Sequence, residues 1–371
     1  MSDIPAQIAE LARDMVAIDS RSSVSNFAIA ARVAAALDGF EVETLDYTDA
    51  AGVAKRAIVA ARGPWTEGGA LALSGHMDTV PDTGWQDDPW SGRIADGVLH
   101  GLGSTDMKGP VAACIVAART APADVPAVLL ITTDEETTKD GARLIAQRSE
   151  IARRARLGGI VVVEPTEMVP VRGHRGGIGF TITSEGIQAH SSSGRGRNAN
   201  WALIPFLTEL RELNERFKAD RTLHDPAYDP TFSELNIVID NHGTAVNVTV
   251  PLATVRIRFR VSASIDPDPV IAAVTQAAER AGLSITMRRE PKPPELPADH
   301  PLIRAAVAAT GAAARTVAFG TDASELQALA PCVVLGPGDI GVAHRPGESV
   351  RLDALVGAVP VYHRMLADHR R

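Results

Sequence analysis

The chain has 371 residues, 45% of them hydrophobic and 22% charged, with a formal net charge of −8. That length exceeds one comfortable core and falls short of three, so two domains are expected, and the acidic balance provides no basic footprint for nucleic acid. Residues 1–19 carry acidic groups and no apolar run of signal-peptide type, and no stretch approaches the length that spans a bilayer.

Cys114 and Cys332, the only cysteines, lie in apolar runs, which reads as buried reduced thiols. The expectation is a cytoplasmic protein with neither nucleic acid nor membrane as a partner. From about Ala57 to Glu164, strand and helix patterns alternate. Short apolar runs at Ala70–Leu73, Ala127–Ile131 and Ile160–Val163 read as buried parallel strands. Val111–Arg119 and Ala142–Arg154 read as the helices between them. Such alternation predicts an α/β layer architecture with helices on both faces of a sheet.

The rhythm then changes. Gly177–Thr183 alternates like a strand, and Asn200–Phe217 is a long amphipathic helix pattern. Leu235–Ile239 and Ala253–Val261 are strands, the second with Arg256, Arg258 and Arg260 alternating against apolar residues. Pro269–Ala281 is a helix and Leu283–Met287 a strand. The order is βαββαβ, a ferredoxin-like unit, and it ends at the stiff Pro291-Lys292-Pro293-Pro294 joint. After it come a helix at Leu302–Ala309, a strand at Thr316–Phe319, a short helix at Glu325–Leu329, a strand at Cys332–Leu335 and a last helix at Asp353–Ala367. One α/β domain (1–171 and 292–371) interrupted by an inserted α+β domain (172–291) is therefore expected.

Five short segments carry polar residues with a chemistry in common. SGHMDTVP places His76 after a buried strand, with Asp78 two residues on. A neutral imidazole ligates zinc well, and a carboxylate on its other nitrogen orients it; alone, His76 reads equally as a loop residue. GLGSTDMKG places Asp106 at the mouth of a helix, either as an N-cap or as a carboxylate whose two oxygens bridge two cations. TTDEE sets Asp134, Glu135 and Glu136 side by side, and their mutual repulsion calls for nearby positive charge if the site is enclosed. Glu164 closes the VVVE strand, and GVAHRPGE supplies His344. Each segment is weak alone. Together they form a mixed His/carboxylate set of the kind that holds two zinc ions about 3.5–4 Å apart.

In these five motifs, in this order, the chain resembles over nearly its whole length the dinuclear-zinc metallopeptidase and deacylase family of the acetylornithine deacetylase and succinyl-diaminopimelate desuccinylase type. AHSS, GPGDI and HRPGE are most similar to the acetylornithine deacetylase branch. The resemblance implies two Zn2+ per subunit, with Co2+ able to substitute. Asp106 would bridge both ions, His76 and Glu164 would complete one site, and Glu136 and His344 the other. Glu135 would be the general base and acid, and Asp78 would orient His76. In the inserted domain, which that family uses as lid and dimerisation domain, the resemblance points to Arg175 and Arg260 as substrate-carboxylate contacts. His190 would be an oxyanion contact, reaching across a homodimer into the partner's site. Asn247 and Thr321 match substrate-side positions. The implied activity is hydrolysis of the amide bond of a small N-acylated amino acid. A carboxypeptidase, a dipeptidase or a desuccinylase would share every ligand, and a non-catalytic binding protein on the same scaffold is the more distant alternative. One departure is plain: where many members have Gly soon after the Glu pair, this chain has Thr137-Thr138-Lys139.

Overall fold

The computed structural model of the protein describes residues 3–64 and 69–369. The chain divides into two compact units. One holds Met1–Gly173, Pro294–Arg315 and Thr321–Arg371, and the other His174–Pro293 and Thr316–Gly320. Thr316–Gly320 goes with the second unit because the Arg175 N–H donates to the Val317 carbonyl at 3.3 Å and the Thr316 hydroxyl bonds the Ala227 carbonyl.

The first unit is built on an eight-stranded mixed sheet. Its centre is Ala127–Thr132, Leu71–His76, Gly159–Pro165 and Cys332–Gly336, side by side and parallel. All four strands are buried along their whole length, so they read in sequence as unbroken apolar runs. A hairpin that the apolar pattern did not reveal, Glu41–Thr48 and Ala54–Arg62, extends the sheet antiparallel beyond Ala127–Thr132. Its outer strand is half in solvent and carries charges at Glu41, Glu43 and Asp46. Val171–His174 and Arg315–Val317 follow at the opposite edge.

The helix Gly109–Thr120 is buried from Gly109 to Ala118. It is apolar all round, as a helix enclosed by other elements must be. Leu129 and Ile131 join the core around it, together with Leu73, Val161 and Val163. The alternate residues Val128 and Leu130 are equally buried but point away from that core. The helix Asp140–Arg148 contacts the same strand, so both sides of the sheet are covered. The single helix expected over Ala142–Arg154 is in fact two, Asp140–Arg148 and Glu150–Arg154. Ser149 breaks it: its backbone is extended and its hydroxyl caps the Ala152 N–H at 3.0 Å while donating to Glu43 at 2.6 Å.

The second unit follows the order βαββαβ, with the antiparallel sheet arranged Leu235–Asp240, Leu252–Val261, Gly176–Glu185, Ser284–Arg289. Its helices Asn200–Ala219 and Asp268–Arg280 bury Leu203, Phe206, Val270 and Val274 against Phe180, Ile182, Val255 and Ile257. Arg256, Arg258 and Arg260 alternate with these strand residues and are exposed or half-buried. Among the described residues, no helix is long and apolar enough to cross a membrane.

Candidate metal centre

Three of the buried parallel strands end at one cluster. Leu71–His76 delivers His76, Ala127–Thr132 leads into Glu135 and Glu136, and Gly159–Pro165 contains Glu164. The first of these strands can lie close to the helix Gly109–Thr120 because residue 75 is glycine. A Cβ there would come within 2.7 Å of Val111 Cγ2 and 2.8 Å of Met107 Cε. Gly103, at φ +81°, plays the same part in the turn before Asp106: a side chain would meet Thr79 Cγ2 at 2.6 Å.

His76 is almost fully buried, and both ring nitrogens are engaged. Nδ1 lies 3.0 Å from the Asp78 carbonyl and 3.5 Å from Asp78 Oδ1. Nε2 lies 3.2 Å from Asp106 Oδ1 and 3.8 Å from Glu164 Oε1. The other oxygen of Asp106, Oδ2, is 3.0 Å from His344 Nε2, which is also 3.1 Å from Glu136 Oε1. Asp106 thus presents one oxygen to each histidine. The five residues expected as metal ligands come together here from five separate parts of the sequence.

Asp78 serves four neighbours. Besides facing His76, its oxygens accept the Glu135 N–H at 3.2 Å and the Glu136 N–H at 3.3 Å, and it takes the Ser22 hydroxyl at 2.7 Å. It therefore ties the histidine to the turn that carries both glutamates. Glu135 Oε1 lies 3.4 Å from Lys139 Nζ. Glu135 also offers an oxygen within 4.8 Å of ligand atoms of His76 and Glu164, as do Asp106 and Glu136 with His76.

Asp134 departs from the expected acidic triplet. It adopts φ +62° and turns away. Its carboxylate meets the fully buried Lys55 ammonium at 2.9 Å and the Tyr47 hydroxyl at 2.6 Å. Its charge is neutralised from the hairpin, and the crowding at the cluster comes instead from Asp106, Glu135, Glu136 and Glu164.

The electrostatics follow from burial and from the cluster's own charges. Burial, then the Asp106 charge, pushes Glu136 up to about 8, and the same two causes raise Glu164 well above the carboxylate range. Burial disfavours an ionised Asp106 as well, but hydrogen bonds from His344 and His76 outweigh it and lower its pKa. Hydrogen bonds to Asp106 and Glu136 push His344 up to about 11. For His76, burial opposes protonation, and the bonds to Asp106 and Asp78 override it to raise the pKa. Imidazole nitrogens and carboxylate oxygens face one another at 3.0–3.2 Å. These are nitrogen and oxygen donors converging in a buried site with an excess of acids, which is the donor chemistry of zinc and similar divalent ions. The residues fit a metal centre.

Several residues of the site carried no assigned role in the sequence reading. Glu348 Oε1 accepts the backbone N–H groups of Thr105 and Asp106 at 2.9 and 3.0 Å, fixing the segment that presents Asp106. Burial pushes this carboxyl up to about 7, against the bonds from those N–H groups. Asp322, buried beside Thr132, is pushed up to about 8 by burial and then by the charge of Glu135. Lys139, Lys55 and Ser22 complete the set. Glu348 is within reach of sequence reasoning, since it closes the HRPGE motif, and Lys139 lies in the Thr137-Thr138-Lys139 stretch already noted; Lys55, Ser22 and Asp322 have no such signal.

Thr321 lies in the first unit, fully buried. Its hydroxyl accepts the Ala323 N–H at 3.1 Å and its carbonyl accepts Lys139 Nζ at 2.9 Å. The other four expected contacts belong to the second unit. Arg175 is buried, its two Nη atoms donate to the carbonyls of Phe232 (2.9 Å) and Pro230, and its guanidinium lies over Tyr228 at 5.1 Å. His190 is exposed, with Nδ1 2.8 Å from the Ser192 hydroxyl. Asn247 is exposed, and its carbonyl accepts the Ser191 N–H at 3.0 Å. Arg260 is half-buried on the strand Leu252–Val261, opposite Gly177.

Residues 72–368 match the model of peptidase family M20/M25/M40. The chain is 34% identical to the acetylornithine deacetylase of Proteus mirabilis (strain HI4320), covering 90% of this chain and 88% of that protein. It is 32% identical to the acetylornithine deacetylase of Myxococcus xanthus, covering 99% and 98%. Among solved structures, human carnosine dipeptidase 1 superposes with a TM-score of 0.76 at 17% identity, covering 99% of this chain and 97% of that one. An M20-family metallo-carboxypeptidase from Sulfolobus solfataricus superposes at 0.72 with 16% identity, covering all of both. At those identities the structures establish a shared fold.

Proposed function

This chain belongs to peptidase family M20/M25/M40 and is a hydrolase, and on that premise we propose that it is a two-zinc enzyme that cleaves the amide bond of a small N-acylated amino acid, of the N-acetylornithine kind. The observation that carries the reading is Asp106, whose two oxygens each face one histidine while Glu136 and Glu164 flank the pair. In this reading His76, Asp106 and Glu164 hold one ion, and Asp106, Glu136 and His344 the other. Ions bound by these residues would supply Lewis acidity toward the acyl carbonyl and lower the pKa of the attacking water. Glu135 takes the proton from that water as its oxygen bonds to the acyl carbon, and returns it to the amine nitrogen as the C–N bond breaks. Asp78 holds His76 in the orientation that directs Nε2 inward.

On the substrate side, Arg260 is proposed as a contact for the substrate carboxylate; the Nη atoms of Arg175 bond backbone carbonyls. His190 is proposed as the oxyanion contact, with Asn247 and Thr321 in supporting positions. The unit carrying Arg260 and His190 is proposed as lid and dimerisation domain. The apolar side chains Trp201 and Ile204, 70% and 50% exposed on the helix Asn200–Ala219, support a homodimer through it. Mixing His190→Ala with Glu135→Gln dimers under subunit exchange should restore activity if His190 acts on the partner's site, and exchange without recovery refutes that arrangement. Two buried free thiols suit a cytoplasmic location.

The test is a metal determination on dialysed protein together with amine release from Nα-acetyl-L-ornithine, N-succinyl and N-formyl amino acids, and dipeptides. More than one ion per chain and fastest release from N-acetylated substrates are expected. Hydrolysis of dipeptides alone would sink the deacylase reading, and active protein without metal would sink the mechanism.

A further inference from the structure

The turn after the glutamate pair is closed in an unusual way. Thr137, Thr138 and Lys139 all direct their backbone N–H groups to the Asp134 carbonyl, Lys139 at 2.6 Å, and Lys139 adopts φ +57°. A lysine is held in a left-handed conformation that usually falls to glycine or asparagine. The conformation folds its side chain back into the protein, where only 8% of the residue is exposed. There Nζ has two partners: the Thr321 carbonyl at 2.9 Å and Glu135 Oε1 at 3.4 Å.

This arrangement is braced from behind. The Thr321 carbonyl also accepts the Ser324 hydroxyl at 3.0 Å, at the start of the short helix Ala323–Leu326. That helix is joined to Asp140–Arg148 by Arg143, whose Nη2 lies 2.8 Å from Glu325. The helix begun by Lys139 is thereby tied to the carbonyl that receives Lys139. A buried ammonium needs such partners, because removing it from water without them is costly.

The four acids of the cluster have unequal support. Asp106, Glu136 and Glu164 face histidine nitrogens. Glu135 is paired with Lys139, which among the described residues is the one Lys or Arg within 4.0 Å of any of the four acids. A glutamate side chain with three rotatable bonds, beside three other carboxylates, has no reason of its own to keep its oxygens in one place. We propose that Lys139 is a positioning residue for Glu135: its ammonium, locked to the Thr321 carbonyl, holds the Glu135 carboxylate where the attacking water must lose its proton. The inference rests on Glu135 being the base.

The test uses four zinc-loaded variants, Lys139→Met, Lys139→Gln, Lys139→Arg and Glu135→Gln, assayed beside the wild type on Nα-acetyl-L-ornithine, with metal content measured and crystal structures of the wild type and Lys139→Met. Lys139→Met should lower kcat by about tenfold to a hundredfold, with KM within about threefold and metal content unchanged. Lys139→Arg should recover part of the loss. In the crystal, the Glu135 carboxylate should hold one position in the wild type and leave it in Lys139→Met. Lys139→Gln keeps a donor for the Thr321 carbonyl without the charge, and gives the same reading if Lys139→Met does not fold. Unchanged kcat in the Lys139 variants with Glu135→Gln inactive overturns the inference and leaves the base intact. A raised KM with normal kcat also overturns it, by making Lys139 a substrate contact. An active Glu135→Gln removes the base itself, a separate failure. If the wild type does not turn over this probe, the crystal structures decide: an unmoved Glu135 in Lys139→Met overturns the inference.

Discussion

The acid cluster of the first unit and the arginines of the second handle charge in opposite ways. In the first, four acids and two histidines crowd together, three of the acids within 4 Å of a histidine nitrogen. In the second, the cations are satisfied locally: Arg175 by the carbonyls of Phe232 and Pro230, Arg258 by Glu290, Arg256 by Asp240 at 3.6 Å. A set of buried acids that stays unbalanced without an added ion is a site. A set of arginines each paired to its neighbour is first of all structure, whatever else it contacts.

If that contrast is right, substitutions should act differently in the two units, and the largest effect belongs to Asp106. Asp106→Ala removes the one group that faces both histidines. Metal content should fall below one ion per chain, and hydrolysis should become undetectable. Two retained ions would mean that the cluster is not organised around Asp106. Glu135→Gln should lose about 10²–10⁴-fold in kcat and keep its metal. Loss of metal in this variant would make Glu135 a ligand, which its closeness to His76 and Glu164 allows. Asp78→Ala should cost about 10–100-fold in metal affinity or activity, because it frees His76 and both glutamate N–H groups at once. Titration of apoprotein with zinc, followed by kinetics, reads all three.

The sequence disclosed these two halves of the molecule unequally, for physical reasons. His76, Glu135, Glu136 and Glu164 were legible because a polar residue directly after a fully buried strand has few places to go except the strand-end crevice. The hairpin Glu41–Arg62 was not legible, since its outer strand is half in solvent and lacks an apolar run. With the hairpin went Lys55 and Tyr47, and so the true partners of Asp134. Repulsion among Asp134, Glu135 and Glu136 was a sound inference from adjacency, but a single residue at φ +62° sends one of the three elsewhere. The break at Ser149 was hidden because both sides of it read as one helical pattern; what divides them is a hydrogen bond to Glu43, more than a hundred residues away in sequence. The arginine row of the second unit was visible as alternation, yet alternation gives the face of a strand and not the partner of each guanidinium.

The smallest predicted effect tests that last point, by comparing two arginines assigned the same role from sequence. Arg260→Ala should raise KM for Nα-acetyl-L-ornithine and leave kcat nearly unchanged, since a carboxylate contact present in ground and transition states alike is uniform binding. Arg175→Ala should behave otherwise. Its guanidinium is buried over Tyr228, and its removal empties that space and breaks its bonds to the carbonyls of Phe232 and Pro230. Losing a buried side chain with its packing and hydrogen bonds typically costs about 0.5–3 kcal/mol. The expected signature is therefore a Tm lower by several degrees with KM close to the wild-type value. Lysine at position 175 should recover little, because a single ammonium cannot reproduce two Nη bonds in fixed fork geometry. If instead Arg175→Ala leaves Tm untouched and raises KM as much as Arg260→Ala does, the bonds to Phe232 and Pro230 are dispensable, and both arginines bind substrate.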